Sequence, residues 1–213
     1  MIRNIIFDFG GVLLDIDMKR TYDILAKQLK QSMTFPDIPD ELREVVVAFE
    51  TGNMSVENFI WNIQNMCPDP KPQGYDVITA WNAMLIGWNT EKFNFLKQLR
   101  HHYQTYILSN TNQLHIEWVR RDLLKNHGIE DFENTYFDKV YYSFEIGKHK
   151  PSNDIYQYVL DDAGLSAEET LFIDDSLINV QSAAGLGIHV YHHDPGKDLM
   201  ETFDKNGWLL YGK

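Results

Sequence analysis

Cysteine is nearly absent. Cys67 stands alone in a chain of 213 residues, so no intramolecular disulfide can form and a reducing, cytoplasmic setting is expected. Cys67 itself reads as a small apolar residue in a helix. Long apolar runs are missing too. No stretch of about 18 consecutive apolar residues occurs, which argues against a membrane-spanning helix. Met1 leads straight into an apolar strand, so no secretory leader is expected. Positive charge is scarce: 19 Lys and Arg stand against 31 Asp and Glu, a formal net charge of −12. Such a chain repels nucleic-acid backbones and anionic lipid, and neither is expected as a partner. An anionic small molecule would have to be held by local charge, from a metal ion or a few lysines. Internal repeats and low-complexity tracts are also lacking. What remains is a chain with 44% hydrophobic residues, enough for one large domain or for a domain with an insertion.

The stretch FDFGGVLLD, Phe7 to Asp15, organises the rest. Residues 3–8 have the β-branched and aromatic character of a buried strand. That strand ends on Asp8 and is followed by Gly10-Gly11, so a carboxylate sits at a sheet edge where backbone can approach a ligand. Residues 18–88 then read as helices only. Met18, Tyr22, Leu25 and Leu29 form one apolar stripe. Leu42, Val45, Val46 and Phe49 form a second, with Asp40 as its expected cap. Val56, Phe59, Ile60 and Ile63 form a third behind Ser55, and Tyr75, Ile78, Trp81 and Leu85 a fourth. Four such helices predict a small bundle with its own core, holding Trp61, Trp81 and Trp88, with the alternative that one or two of them line a substrate pocket where the insertion meets the sheet domain.

From Asn89 onward helices and strands alternate. A helix capped by Thr90 precedes a strand from Thr105 to Leu108, which ends in Ser109-Asn110. A helix through Ile116, Val119 and Leu123 precedes a strand from Lys139 to Ser143. Ser152 opens another helix, Thr170 to Ile173 is a strand closed by Asp174-Asp175, and a helix from Leu177 to Leu186 leads to a last strand, His189 to Tyr191. This order predicts an α/β fold, a Rossmann-like parallel sheet with helices on both faces. The expected division is a catalytic core of residues 1–17 and 89–213, with a helical cap at 18–88.

Ligands in such folds sit beyond the carboxyl ends of the strands. That edge gathers Asp8, Ser109-Asn110 and Asp174-Asp175. Converging carboxylates repel unless a cation lies between them, and Mg²⁺, which prefers hard oxygen ligands and works beside phosphate, is the natural guest. Gly10 can add its backbone carbonyl. Ser109 and Asn110 offer hydroxyl and amide groups to phosphate oxygens, and Lys150, before Pro151, offers a compact positive charge. A carboxylate nucleophile, a metal, a hydroxyl and a lysine are the parts that phosphoryl transfer through an aspartyl-phosphate needs.

These segments identify a resemblance. FDFGGV, LSN at 108–110, GKHKP at 147–151 and FIDDSLIN at 172–179 resemble, in order and spacing, the four motifs of the haloacid dehalogenase superfamily. SNTNQLH at 109–115 and VLLDID at 12–17 are similar to the bacterial branch that includes α-D-glucose-1-phosphate phosphatase. The resemblance implies a Rossmann-like core with a cap inserted after the first strand. It implies Asp8 as nucleophile and metal ligand, Ser109 and Lys150 on the phosphate, and Asp175 on Mg²⁺ with Asp174 beside it. The activity implied is a Mg²⁺-dependent phosphatase of a small phosphorylated metabolite, with a sugar phosphate as one candidate, acting as a monomer or weak homodimer. The rival readings are a dehalogenase acting on a 2-halo acid and a binding protein without catalysis.

One departure stands out. Phosphatases of this superfamily usually carry a second aspartate two residues after the nucleophile, as general acid and base. Here that residue is Gly10. General acid–base help is worth about 10²–10⁴ in rate, so substrates with good leaving groups are expected to be favoured. Asp15, Asp17 and His115 are the sequence's alternatives for a group that reaches the substrate.

Overall fold

The first apolar run forms the central strand of a five-stranded parallel sheet. The structure, a computed structural model, describes residues 1–210. Strand β1 (Asn4–Phe7) is followed by a short β2 (Asp15–Ile16) and four helices: α1 (Met18–Leu29), α2 (Asp40–Glu50), α3 (Val56–Met66) and α4 (Gly74–Asn82). Strand β3 (Leu85–Gly87) then returns antiparallel to β2, so a two-stranded ribbon ties both ends of the helical insertion together. The remaining chain runs α5 (Glu91–Leu99), β4 (Gln104–Ser109), α6 (Gln113–His127), α7 (Phe132–Tyr136), β5 (Lys139–Tyr142), α8 (Ser143–Ile146), α9 (Asn153–Ala163), β6 (Thr170–Asp174), α10 (Leu177–Ala184) and β7 (His189–His192). The sheet order is β5-β4-β1-β6-β7, with every pair parallel.

Alternation along each strand decides which side chain meets which layer. Ile5, Phe7, Ile107, Leu171 and Ile173 join one apolar cluster with Phe93, Leu96, Ile116, Val119 and Phe132 from α5, α6 and α7. Ile6, Tyr106, Leu108 and Phe172 point to the other face and join Ile155, Tyr156, Val159 and Ala183 from α9 and α10. Both faces are therefore covered, as a parallel sheet requires. Each such buried side chain contributes about 1.5–3 kcal/mol over leaving it in water.

The inserted helices share a third cluster, built from Tyr22, Leu25, Leu42, Val46, Phe49, Phe59, Ile63, Val77 and Trp81. Details differ from the sequence expectation. Helix α4 ends at Asn82, so Leu85 belongs to β3, and its buried face is Val77, Ala80 and Trp81 while Tyr75 is exposed. The short period misled because Tyr75 sits in the first turn, at the rim of the bundle. Trp61 is 61% exposed, and Trp88 packs on Phe9, Phe93 and Phe132 of the sheet domain; only Trp81 lies in the bundle core. Ser55 caps α3 as expected, accepting from the Asn58 N–H at 3.3 Å. Asp40 and Thr90 do not cap: Asp40 lies inside α2 after Pro39, and Asn89 accepts the Glu91 N–H at 3.1 Å in place of Thr90. No helix of the described residues is long and apolar enough to cross a membrane.

Candidate active site

The register of the three central strands brings their carboxyl ends level. Phe7 pairs with Ile107 on one side and Ile173 on the other, so Asp8, Ser109 and Asp174 emerge at one edge. Lys150 enters from the loop before α9. Its Nζ lies 2.8 Å from Asp8 Oδ1, 2.7 Å from Asp174 Oδ2 and 3.0 Å from the Leu108 carbonyl. The Lys150 side chain is 1% exposed. A buried ammonium is tolerable only with this many acceptors. Burial works to lower the Lys150 pKa, but the two carboxylates outweigh it and the net shift is upward. Burial raises the Asp8 carboxyl, with Lys150 opposing.

The acidic pair divides its labour. Asp174 is fully buried, and both of its oxygens are engaged: Oδ2 with Lys150, Oδ1 with the Ser176 N–H at 2.7 Å, and each with Asn179 Nδ2 at 3.1 Å. It works as a clamp on Lys150. Asp175 is half-buried and packs against Gly11, whose positive φ of 80° and missing Cβ let the two meet. Burial, then the neighbouring Asp174, raises the Asp175 carboxyl. Asp8, Asp174 and Asp175 each offer an oxygen within 4.8 Å of the others, the only such cluster among the described residues. Three carboxylates face one ammonium, which leaves two negative charges uncompensated. Hard oxygens carrying that charge fit a divalent ion of the Mg²⁺ type.

Other residues singled out from the sequence fall less uniformly. Ser109 is buried at the end of β4 and lines a small cavity with Gly10. The Asn110 side chain is occupied: Oδ1 accepts the Lys150 N–H at 2.8 Å, and Nδ2 reaches the Lys150 carbonyl at 2.9 Å and His149 Nδ1 at 3.1 Å. It shapes the lysine loop, and its side-chain amide has little left for phosphate. His115 is buried and stacks on Trp81, with Asn112 on one ring nitrogen and the Trp81 carbonyl on the other. Burial pushes its pKa down to about 4, so the ring is neutral. Asp15 turns toward Lys92 at 3.6 Å, and Asp17 caps α1 through the Lys19 N–H at 3.1 Å. Sequence reading missed Glu50 and His149, which join cap and core at 2.9 Å. His149 adjoins Lys150 in the GKHKP segment, which is its one sequence signal; Glu50 ends an amphipathic helix, where a glutamate carries no signal of its own.

Comparison with known proteins identifies a family and several relatives. The family described as haloacid dehalogenase-like hydrolase matches residues 2–187. The chain is 28% identical over 203 residues to a D-ribitol-5-phosphate phosphatase of Bacteroides thetaiotaomicron, covering 93% of this chain and 95% of that one. It is similar to a HAD family enzyme of the same organism, solved with magnesium and inorganic phosphate: TM-score 0.81, 30% identity, 96% of this chain and 100% of the other. It is also similar to a HAD-like family hydrolase of Porphyromonas gingivalis: TM-score 0.78, 32% identity, 94% of this chain and 95% of the other.

Proposed function

Because the chain belongs to the haloacid dehalogenase-like hydrolases, we propose that it is a Mg²⁺-dependent phosphatase of small phosphorylated metabolites, working through an aspartyl-phosphate. The observation that carries this is the buried lysine held between Asp8 and Asp174 beside a half-buried Asp175. In this reading Asp8 presents an oxygen to phosphorus, and Lys150 and Ser109 hold phosphate oxygens. Asp8, Asp175 and the Gly10 carbonyl hold the ion, with Asp174 behind them keeping Lys150 in place. Bound Mg²⁺ supplies the charge that lets a carboxylate and a phosphate dianion approach each other. Residues 18–88 act as the cap over this edge. The likeness to a D-ribitol-5-phosphate phosphatase supports a sugar or sugar-alcohol phosphate as substrate.

Two uncompensated carboxylates count against a 2-halo acid, which would bring a further negative charge without a metal. The intact lysine clamp counts against a non-catalytic binder. The test uses p-nitrophenyl phosphate and acetyl phosphate, with Mg²⁺ or EDTA, beside Asp8→Asn. Turnover that disappears with EDTA and in the variant is the expected result. Metal-independent chloride release from 2-chloropropionate would overturn the proposal.

A further inference from the structure

Position 10 carries no side chain, so no acid can act on the leaving group from there. We propose that Glu50, carried on the inserted helices and oriented by His149, supplies the proton that position 10 cannot. This rests on the phosphatase reading above.

The other acids and bases near the edge are committed elsewhere. Asp15 faces Lys92 in a separate pocket with His193 and Asp198. Asp17 is held by the start of α1 and by Arg20 at 3.4 Å. Both nitrogens of His115 are engaged, one with the Asn112 amide and one with the Trp81 carbonyl. Glu50 differs. It lines the same open cavity as Gly10, Ser109 and His115, a space of about 90 Å³ whose walls also include Met84 and Leu85. A water needs only about 10–15 Å³ of such space, so the cavity has room for an attacking water or for the first atoms of a leaving group.

The position of Glu50 is over-determined. Gly52, two residues on, lies so close to the Phe144 carbonyl that a Cβ would overlap it, which seats the end of α2 against α8. The His149 ring is fixed from the other side. The Lys150 N–H binds Asn110 Oδ1 and the Lys150 carbonyl binds Nδ2, so the orientation of that amide is set by backbone. Asn110 Nδ2 therefore donates to His149 Nδ1, and the ring hydrogen sits on Nε2, which donates to Glu50 Oε2 at 2.9 Å. Glu50 Oε1 keeps no hydrogen-bond partner among the described residues. One loop thus carries the phosphate anchor, Lys150, and the orienter of the acid, His149.

The steps balance. Asp8 attacks phosphorus as the P–O bond to the substrate breaks, and the Glu50 carboxyl gives its proton to the departing oxygen, releasing an alcohol. The Glu50 carboxylate then takes a proton from water as the water oxygen bonds to phosphorus and the Asp8–P bond breaks. Inorganic phosphate leaves, and Asp8 is again a carboxylate. Glu50 is the catalytic residue here, and His149 is a positioning residue.

The experiment is a comparison of two esters. An alkyl phosphate such as ribitol 5-phosphate needs a proton on its departing alkoxide, whereas p-nitrophenyl phosphate does not. Glu50→Gln is expected to lower kcat/KM about 10²-fold or more on the alkyl ester, and by about tenfold or less on the aryl ester, within the range for general acids. His149→Asn should move the same ratio in the same direction by a smaller factor. Equal losses on the two esters would reduce Glu50 to a docking contact and overturn the proposal, as would an undiminished rate on the alkyl ester. Activity surviving Asp8→Asn on both esters would instead overturn the phosphatase reading itself.

Discussion

Gly11 and Asp175 touch. A Cβ on Gly11 would overlap the Asp175 carboxylate, and the backbone there has a positive φ that L side chains rarely adopt. The glycine pair after β1 thus makes space for an acid that arrives more than 160 residues later in the chain. Gly11→Ala is expected to cost about 1–2 kcal/mol through backbone strain alone. It should also displace Asp175 and weaken Mg²⁺ binding at least tenfold. Calorimetric titration with Mg²⁺ checks this; unchanged affinity in the variant would show that Asp175 does not hold the ion.

Mg²⁺ binding should strengthen as pH rises. Burial raises the Asp8 carboxyl to about 7, so between the ordinary aspartate value and that pH the metal-free fold holds a proton there that an unfolded chain has already lost. A raised carboxyl takes stability from the metal-free protein as pH climbs above the ordinary aspartate range, and an incoming cation must expel that proton. Excess Mg²⁺ at about 100 times its dissociation constant should stabilise by about 2.7 kcal/mol. The shift in Tm should be larger at about pH 8 than at about pH 5.5. Asp8→Asn should abolish both the shift and its pH dependence; a shift that persists in Asp8→Asn would move the site elsewhere.

His115 gives the metal-free fold a slope opposite to that of Asp8. Its folded pKa, lowered by burial to about 4, lies below the ordinary 6.5. Between those values the unfolded chain takes up a proton that the fold refuses, so stability falls as pH falls. The loss attributable to this ring is about 2 kcal/mol at pH 5 relative to pH 7. Urea unfolding of the wild type and His115→Gln across this range checks it. The variant should show a shallower decline, and parallel curves would refute the assignment.

Legibility in the sequence followed the range of the interaction. Ile5, Ile6 and Phe7 announce a buried strand because strand periodicity is local. The stripes of α1, α2 and α3 are local for the same reason: Tyr22, Leu25 and Leu29, the four α2 positions, and Phe59 and Ile63 are buried as expected, whereas Met18, Val56 and Ile60 are only partly buried. Where the signal weakened, the reading slipped: Trp61 and Trp88 are both large and apolar, but nothing local distinguishes bundle core from solvent or from the neighbouring layer. The β2–β3 ribbon escaped notice because its two strands are short and lie about 70 residues apart.

At the candidate active edge the same division holds. Residue type and order predict that Asp8, Lys150 and the Asp174-Asp175 pair meet, because the acids close strands whose carboxyl ends lie together in a parallel sheet, and the structure brings all four together. Only the tertiary structure decided their separate duties: Asp174 clamps the lysine, Asp175 leans on Gly11, Asn110 braces the lysine loop, and Glu50 crosses from the inserted helices to meet His149. Those assignments depend on which lone pair or proton is already taken, and a hydrogen bond between residues 99 positions apart leaves no periodic trace in the chain.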